Sequence, residues 1–176
     1  MYSIEPGTQA YLALEVYKTG VMSGKVHRFE FANYEGTLTL DPDSPDRSKV
    51  ELTIEADSIQ CKDKWLSEKD LRKVTETAVG PKVLDVEHFE EIRFVSKRVA
   101  TAGGGQFEVE GLLWIRELAR PVTLKVRLQR EGDRLRLVGS GELRLSDYKI
   151  RPPSMLLGVV GTRDDMKVLF DVVAER

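Results

Sequence analysis

The sequence predicts an all-β protein, an antiparallel barrel of roughly eight strands with a helical excursion around residues 64–86. Three observations predict this fold. Apolar residues recur at every second position in about eight runs, turn-forming residues separate the runs, and one segment changes to helical spacing. Strict alternation buries one face of each strand and leaves the other in water, as antiparallel sheets require. A barrel of about eight strands can enclose one small ligand.

The strand candidates follow one another along the chain, each with a set of apolar positions of one parity. Turn clusters at 41–46, 103–105 and 131–133 separate some of them, and Gly36, Gly111, Gly139 and Gly141 lie where a sheet could bulge or coil. The apolar positions of the runs are Leu12, Leu14 and Val16; Phe29 and Phe31; Leu38 and Leu40; Val50, Leu52 and Ile54; Phe107 and Val109; Val122, Leu124, Val126 and Leu128; Leu135 and Leu137, which lead towards Leu143 and Leu145; and Val168, Phe170 and Val172.

The excursion around residues 64–86 has the signals of a helix. Ser67 is a good N-cap, Asp70 occupies the acidic third position, and Gly80-Pro81 ends the helix and begins a second short turn. A non-strand insertion of this length beside a barrel is usually a lid or an end cap. No repeat or linker divides the chain, so we expect one domain over residues 1–176.

Composition narrows the classes of function. Lys and Arg number 27 against 29 Asp and Glu, so the charge of −2 gives no reason to expect nucleic acid as a partner. The single cysteine, Cys61, and two histidines argue against a metal centre, and no known cofactor motif is present. No apolar stretch is long enough for a transmembrane segment. As written the chain has no signal peptide, which predicts a cytoplasmic protein, or a periplasmic one if a leader has been removed.

The order and spacing of several segments resemble the YceI-like family of bacterial polyisoprenoid-binding, lipocalin-like proteins. Glu91, Ser146 and Lys149 depart from the proline, arginine and glycine that are usual in the family pattern. The segments that carry the resemblance are 2–7, 20–27, 31–41, 58–59, 83–96, 110–116 and 145–150.

The resemblance implies a lipocalin-like barrel that binds or transports an isoprenoid or another lipid in an elongated apolar cavity. Alternation alone leaves open whether the interior is hollow or filled. His27 and Arg163 are the candidates for orienting a polar head group at the mouth. The candidate wall of the cavity consists of Leu14, Phe29, Phe31, Leu52, Ile54, Phe94, Phe107, Val109, Val126 and Phe170.

Two other functions fit the same residues. The barrel could be filled and serve as an interaction or scaffold module, with the apolar segment 155–160 contacting a partner or a second copy in a homodimer. Alternatively, His27 with a nearby carboxylate could act as the acid or base of a hydrolase or isomerase. No serine nucleophile motif accompanies His27, so we expect a binding protein without catalytic activity.

Overall fold

The computed structural model describes the backbone of residues 1–176 and every side chain except that of Leu156. It contains one α-helix, α1 (Glu68–Val79), and a set of antiparallel strands. The strands are β1 (Tyr2–Ile4), β2 (Tyr11–Gly20), β3 (Val26–Phe31), β4 (Tyr34–Thr39), β5 (Lys49–Glu55), β6 (Ile59–Cys61), β7 (Glu91–Gly103), β8 (Gln106–Ile115), β9 (Leu118–Glu131), β10 (Arg134–Arg144) and β11 (Val160–Glu175).

Eight of the strands form a closed ring in the order β1-β4-β5-β7-β8-β9-β10-β11. The short strand β1 closes the ring because it pairs with β4 on one side and with the end of β11 on the other. Ser3 is aligned with Thr37 in the first pairing and with Glu175 in the second. The predicted antiparallel barrel of roughly eight strands is therefore confirmed.

The remaining three strands extend this ring at the long strand β11. The final residues of β11 pair with β1, whereas its earlier part, from Val160 to Asp171, pairs with β2, which is followed by β3 and then β6. Helix α1 is attached to β6, where the backbone N–H of Cys61 donates to Thr75 Oγ1 at 3.3 Å. The chain thus builds a sheet and a helix against one end of the ring.

The helix begins as the sequence predicts. Ser67 is the N-cap, and its side-chain oxygen accepts a hydrogen bond from the backbone N–H of Asp70 at 3.2 Å. Gly80 follows the last helical residue, and residues 81–84 form turns before β7. The remainder of the predicted excursion is irregular because its backbone hydrogen bonds are made within tight turns such as Asp85 N–H to Gly80 O.

Aromatic and branched side chains fill much of the ring. The strand registers align Phe107, Val126, Gly139 and Phe170 across β8, β9, β10 and β11. A Cβ atom at Gly139 would lie 2.5 Å from Cζ of Phe170, so the glycine leaves room for that ring. This part of the interior is packed rather than hollow.

Candidate functional site

A cavity of about 850 Å³ lies where the β2-β3-β6 sheet faces the end of the ring. Leu14, Val16, Phe29, Met166 and Val168 form its wall on β2, β3 and β11, because alternate residues of each strand point to the same face. The exposed residues Ser154 and Met155 also line the cavity. The cavity therefore reaches the protein surface at this edge.

The helical excursion covers one side of the cavity. Trp65, Leu66, Val74, Ala78 and Leu84 all line it. The apolar residues Val74 and Ala78 are four positions apart, so they lie on one face of α1. The excursion provides an apolar wall opposite the sheet, which is the position that a lid or an end cap would take.

His27, which lines the cavity, forms a buried polar pair with Asp63. His27 Nδ1 lies 2.5 Å from Asp63 Oδ2, and the Asp63 side chain is only 1% exposed. The other carboxylate oxygen of Asp63 accepts a hydrogen bond from the backbone N–H of Arg28 at 2.7 Å. An ionised carboxylate can only accept hydrogen bonds, so Nδ1 carries the proton in this pair. Trp65 stacks on the imidazole with ring centroids 5.4 Å apart.

Cys61 lies beside this pair, and among the described residues these three form a group that could hold a metal ion. One ligand atom from each of His27, Cys61 and Asp63 lies within 4.8 Å of the others. However, the direct contact between His27 Nδ1 and Asp63 Oδ2 would have to open for both atoms to bind one ion. Burial raises the pKa of the Cys61 thiol to about 11, which disfavours the thiolate that binds metals. The residues therefore fit a hydrogen-bonded pair better than a metal centre.

Lys18 is a second polar residue in the apolar wall. It is 8% exposed and lies opposite Thr162 on β11, to whose Oγ1 its Nζ donates a hydrogen bond at 3.3 Å. Burial lowers the pKa of the Lys18 ammonium because charge is disfavoured away from water. Lys18 and His27 place two nitrogen groups at the wall of an otherwise largely apolar cavity.

The twelve residues predicted from the sequence to bind the ligand fall into two groups in the structure. Leu14, His27, Phe29, Phe31 and Ile54 line the cavity. The other seven do not line the cavity formed by the described residues. Phe94, Val109, Val126 and Phe170 are buried in the packed core, Leu52 and Phe107 pack against that core, and Arg163 is exposed.

Arg163 is held outside the cavity by an irregularity in β11. The pairing of β11 with β2 shifts between Thr162 and Met166, so the intervening residues bulge out of the regular register. The Arg163 guanidinium forms two hydrogen bonds to the Asp165 carboxylate and lies 4.9 Å from the centre of the Tyr17 ring. In this arrangement Arg163 forms an ion pair with Asp165 at the surface and does not line the cavity.

Lys18 in the cavity wall and Asp63, the partner of His27, were not predicted from the sequence. Lys18 follows Leu14 and Val16 at the same parity, so continuing that alternation by one more step would have placed it on the inner face. Asp63 lies in a polar segment after β6, and no local pattern distinguishes it from an exposed aspartate. Its pairing with His27 depends on the contact between β3 and β6, which are far apart in the sequence.

The cavity edge also carries exposed apolar side chains. Val21, Met155, Leu157 and Val159 are exposed, and the backbone N–H of Val21 donates to Val159 O. These residues include part of the segment that the sequence analysis considered for partner contacts. The side chain of Leu156, in the same segment, lies outside the described residues.

The fold and the site define an antiparallel barrel with an apolar cavity at one end. The pattern of the YceI-like domain matches residues 2–174, so the chain belongs to the YceI-like family. Among the described residues, no helix is both long and apolar enough to cross a membrane.

Known proteins agree with this assignment. The chain is 26% identical over 156 residues to a UPF0312 protein of Pseudomonas syringae pv. tomato, covering 83% of this chain and 73% of the relative. It is 28% identical over 126 residues to Protein YceI of Salmonella arizonae, covering 68% of this chain and 61% of the relative.

Solved structures share the fold. The crystal structure of Burkholderia cenocepacia BcnA superposes with a TM-score of 0.74 at 19% identity, covering 92% of this chain and 95% of that one. A crystal structure of the Campylobacter jejuni YCEI protein superposes with a TM-score of 0.68 at 15% identity, covering 84% of each chain. At these identities the likeness concerns the architecture alone.

Proposed function

We propose that this protein binds or carries an elongated apolar ligand, an isoprenoid or another lipid, without chemically changing it. The observation that carries the proposal is the cavity of about 850 Å³, which is lined mainly by apolar side chains. Its volume lies within the range of about 300–1,000 Å³ that is usual for small-molecule sites. Membership of the YceI-like family is consistent with a binding protein.

Apolar burial would supply most of the affinity. Each methylene that moves from water into the cavity contributes about 0.8 kcal/mol. Phe29 and Phe31 on β3, with Leu14 and Val168 across the adjacent strands, give the tail an apolar surface along the sheet. A long chain could therefore bind with few polar contacts, and those few would be made by Lys18 and His27.

The first test is direct. We expect gently purified protein to release a lipid on organic extraction, and native mass spectrometry to show the protein with the corresponding added mass. After lipid removal, the protein should take up geranylgeraniol. Trp114→Phe leaves Trp65, which lines the cavity, as the only tryptophan, so its emission should change on binding. Absence of both bound lipid and uptake would reject the proposal.

A blocking variant locates the site. Val168 lines the cavity, and Val168→Trp should weaken prenyl-alcohol binding about tenfold or more, because exclusion of about two methylenes, at about 0.8 kcal/mol each, is enough for a tenfold loss. Leu169→Trp is the matched control, since the next residue of a strand points to the opposite face. Equal affinities for the two variants would place the ligand elsewhere.

The two other functions are less well supported. A completely filled barrel does not agree with the cavity, although exposed Met155 and Leu157 could still contact a partner. The pair of His27 and Asp63 resembles an oriented base, but among the described side chains no serine, threonine or cysteine donates a hydrogen bond to His27. Binding therefore accounts for the cavity without requiring a reaction.

A further inference from the structure

The ammonium group of Lys18 is buried in the cavity wall without a counter-charge. Its side chain points to the same face as Leu14 and Val16, and the residue is 8% exposed. No carboxylate oxygen of the described side chains lies within 4.0 Å of Lys18 Nζ. Its hydrogen-bonding partner is the neutral hydroxyl of Thr162.

Such an arrangement is costly in the free protein. An ammonium that is moved from water into an apolar site loses hydration that one hydroxyl cannot replace. The carboxylate of Asp63 is engaged by His27 and by the backbone N–H of Arg28 and forms no ion pair with Lys18. Asp70 and Glu76 border the cavity but are exposed on the helical side. A molecule in the cavity is therefore the available source of a negative charge beside Lys18.

His27 is placed to contact the same group. Val16 is aligned with His27 across β2 and β3, so Lys18, two residues further along β2, is its diagonal neighbour on the inner face. Diagonal neighbours in a sheet are about 7–8 Å apart, which a group with two or three oxygen atoms can bridge. The Nδ1 proton is donated to Asp63, which leaves Nε2 to face such a group. Nε2 accepts a hydrogen bond from a protonated oxygen of the head group, or donates one to an anionic oxygen when the imidazole carries a second proton.

We propose that the ligand is an amphiphile with a single anionic head group, a carboxylate or a phosphate, which binds between Lys18 and His27 while its tail lies along the apolar wall. This inference rests on the proposed function, because it assumes that the cavity holds an apolar tail. It adds the charge of the head group and the residue that recognises it. An anion beside Lys18 would also restore the charged state that burial disfavours.

The test compares ligands that share a tail and differ in the head. Delipidated protein is titrated by calorimetry with dodecanoate and dodecan-1-ol, and separately with farnesyl phosphate and farnesol. We expect each anion to bind about tenfold or more tightly than its alcohol, since hydrogen bonds to charged groups are the stronger ones. Comparison of the two anions then distinguishes a fatty acid from a prenyl phosphate as the preferred class.

Variants assign the preference to Lys18. Lys18→Met should reduce the ratio of anion to alcohol affinity to within about threefold, whereas Lys18→Arg should retain most of it because the charge remains. Lys125→Met changes the net charge equally at an exposed position of β9 and should leave the ratio unchanged. Circular dichroism of each variant confirms that the barrel is folded.

The outcomes separate the two proposals. Equal binding of anion and alcohol by the unmodified protein, or an anion preference that survives in Lys18→Met, would overturn the head-group assignment and leave lipid binding intact. If neither the anions nor the alcohols bind, both the proposal of lipid binding and the proposal of an anionic head group are rejected.

Discussion

Removing the Asp63 carboxylate should destabilise the protein more than almost any other change of a charged residue. The side chain is 1% exposed and accepts hydrogen bonds from His27 Nδ1 and from the backbone N–H of Arg28. Asp63→Ala leaves both donors without an acceptor in a buried site. An unsatisfied buried donor costs about 1–3 kcal/mol, so we expect the free energy of unfolding to fall by about 3 kcal/mol.

The loss can be measured by urea unfolding followed by circular dichroism. For a domain of this size, about 3 kcal/mol corresponds to a fall in melting temperature of about 6–12 °C. Asp63→Asn keeps an oxygen that can accept from Arg28 N–H, so its loss should be smaller. Asp133→Ala, in the exposed turn between β9 and β10, is the control and should change little. A loss below about 1 kcal/mol for Asp63→Ala would refute the reasoning.

Three further substitutions should change the free energy of unfolding: one should lower it and two should raise it. Gly139→Ala would push a Cβ atom into the Phe170 ring, and thermal unfolding should show a loss of about 1–3 kcal/mol, whereas Gly7→Ala, with its nearest atom 3.7 Å away, should be nearly neutral. Tyr34→Phe removes a buried hydroxyl without a hydrogen-bonding partner in the described structure and should raise the free energy of unfolding by about 1 kcal/mol. Lys18→Met should stabilise the ligand-free protein at neutral pH, as measured by urea unfolding.

The effect of Lys18→Met should depend on pH in a defined direction. Burial lowers the pKa of Lys18 in the folded protein, so at neutral pH the ammonium binds its proton more weakly in the folded state than in the unfolded state. The penalty decreases as pH rises from the lowered pKa to the ordinary lysine pKa of about 10.4, and it vanishes above that. The advantage of methionine should therefore shrink at alkaline pH. A constant advantage would show that lost packing or the Thr162 contact decides the result.

The elements of the fold could be predicted because their signals are local. Alternation identified the strands, and Ser67 with Asp70 identified the start of α1. The pairing of β11 with β2 along one part and with β1 at its end could not be predicted in this way. Its first half contains the polar bulge at 163–165, which interrupts alternation, and its two partners, β1 and β2, are distant in sequence.

Parity predicted which face a side chain occupies but not its position along the barrel. Phe29 and Phe170 both point inward, yet Phe29 lines the cavity and Phe170 packs against Gly139 in the filled part. The difference depends on where each strand lies relative to the closed ring, which is a property of strand register. Asp63 was missed for a related reason, because its burial is caused by partners 35 and 36 residues away.

The position of β11 affects how the chain can fold. Strands β1, β2 and β10 all pair with it, and it is synthesised after the other ten strands described here. Until then β1 lacks one of its neighbours, β2 has only β3, and the apolar edge of the unfinished sheet stays accessible to other chains. Closure joins residues near 3 and 175, a sequence separation typical of slow folding. Nascent chains of this protein should therefore depend on chaperones until β11 has been synthesised.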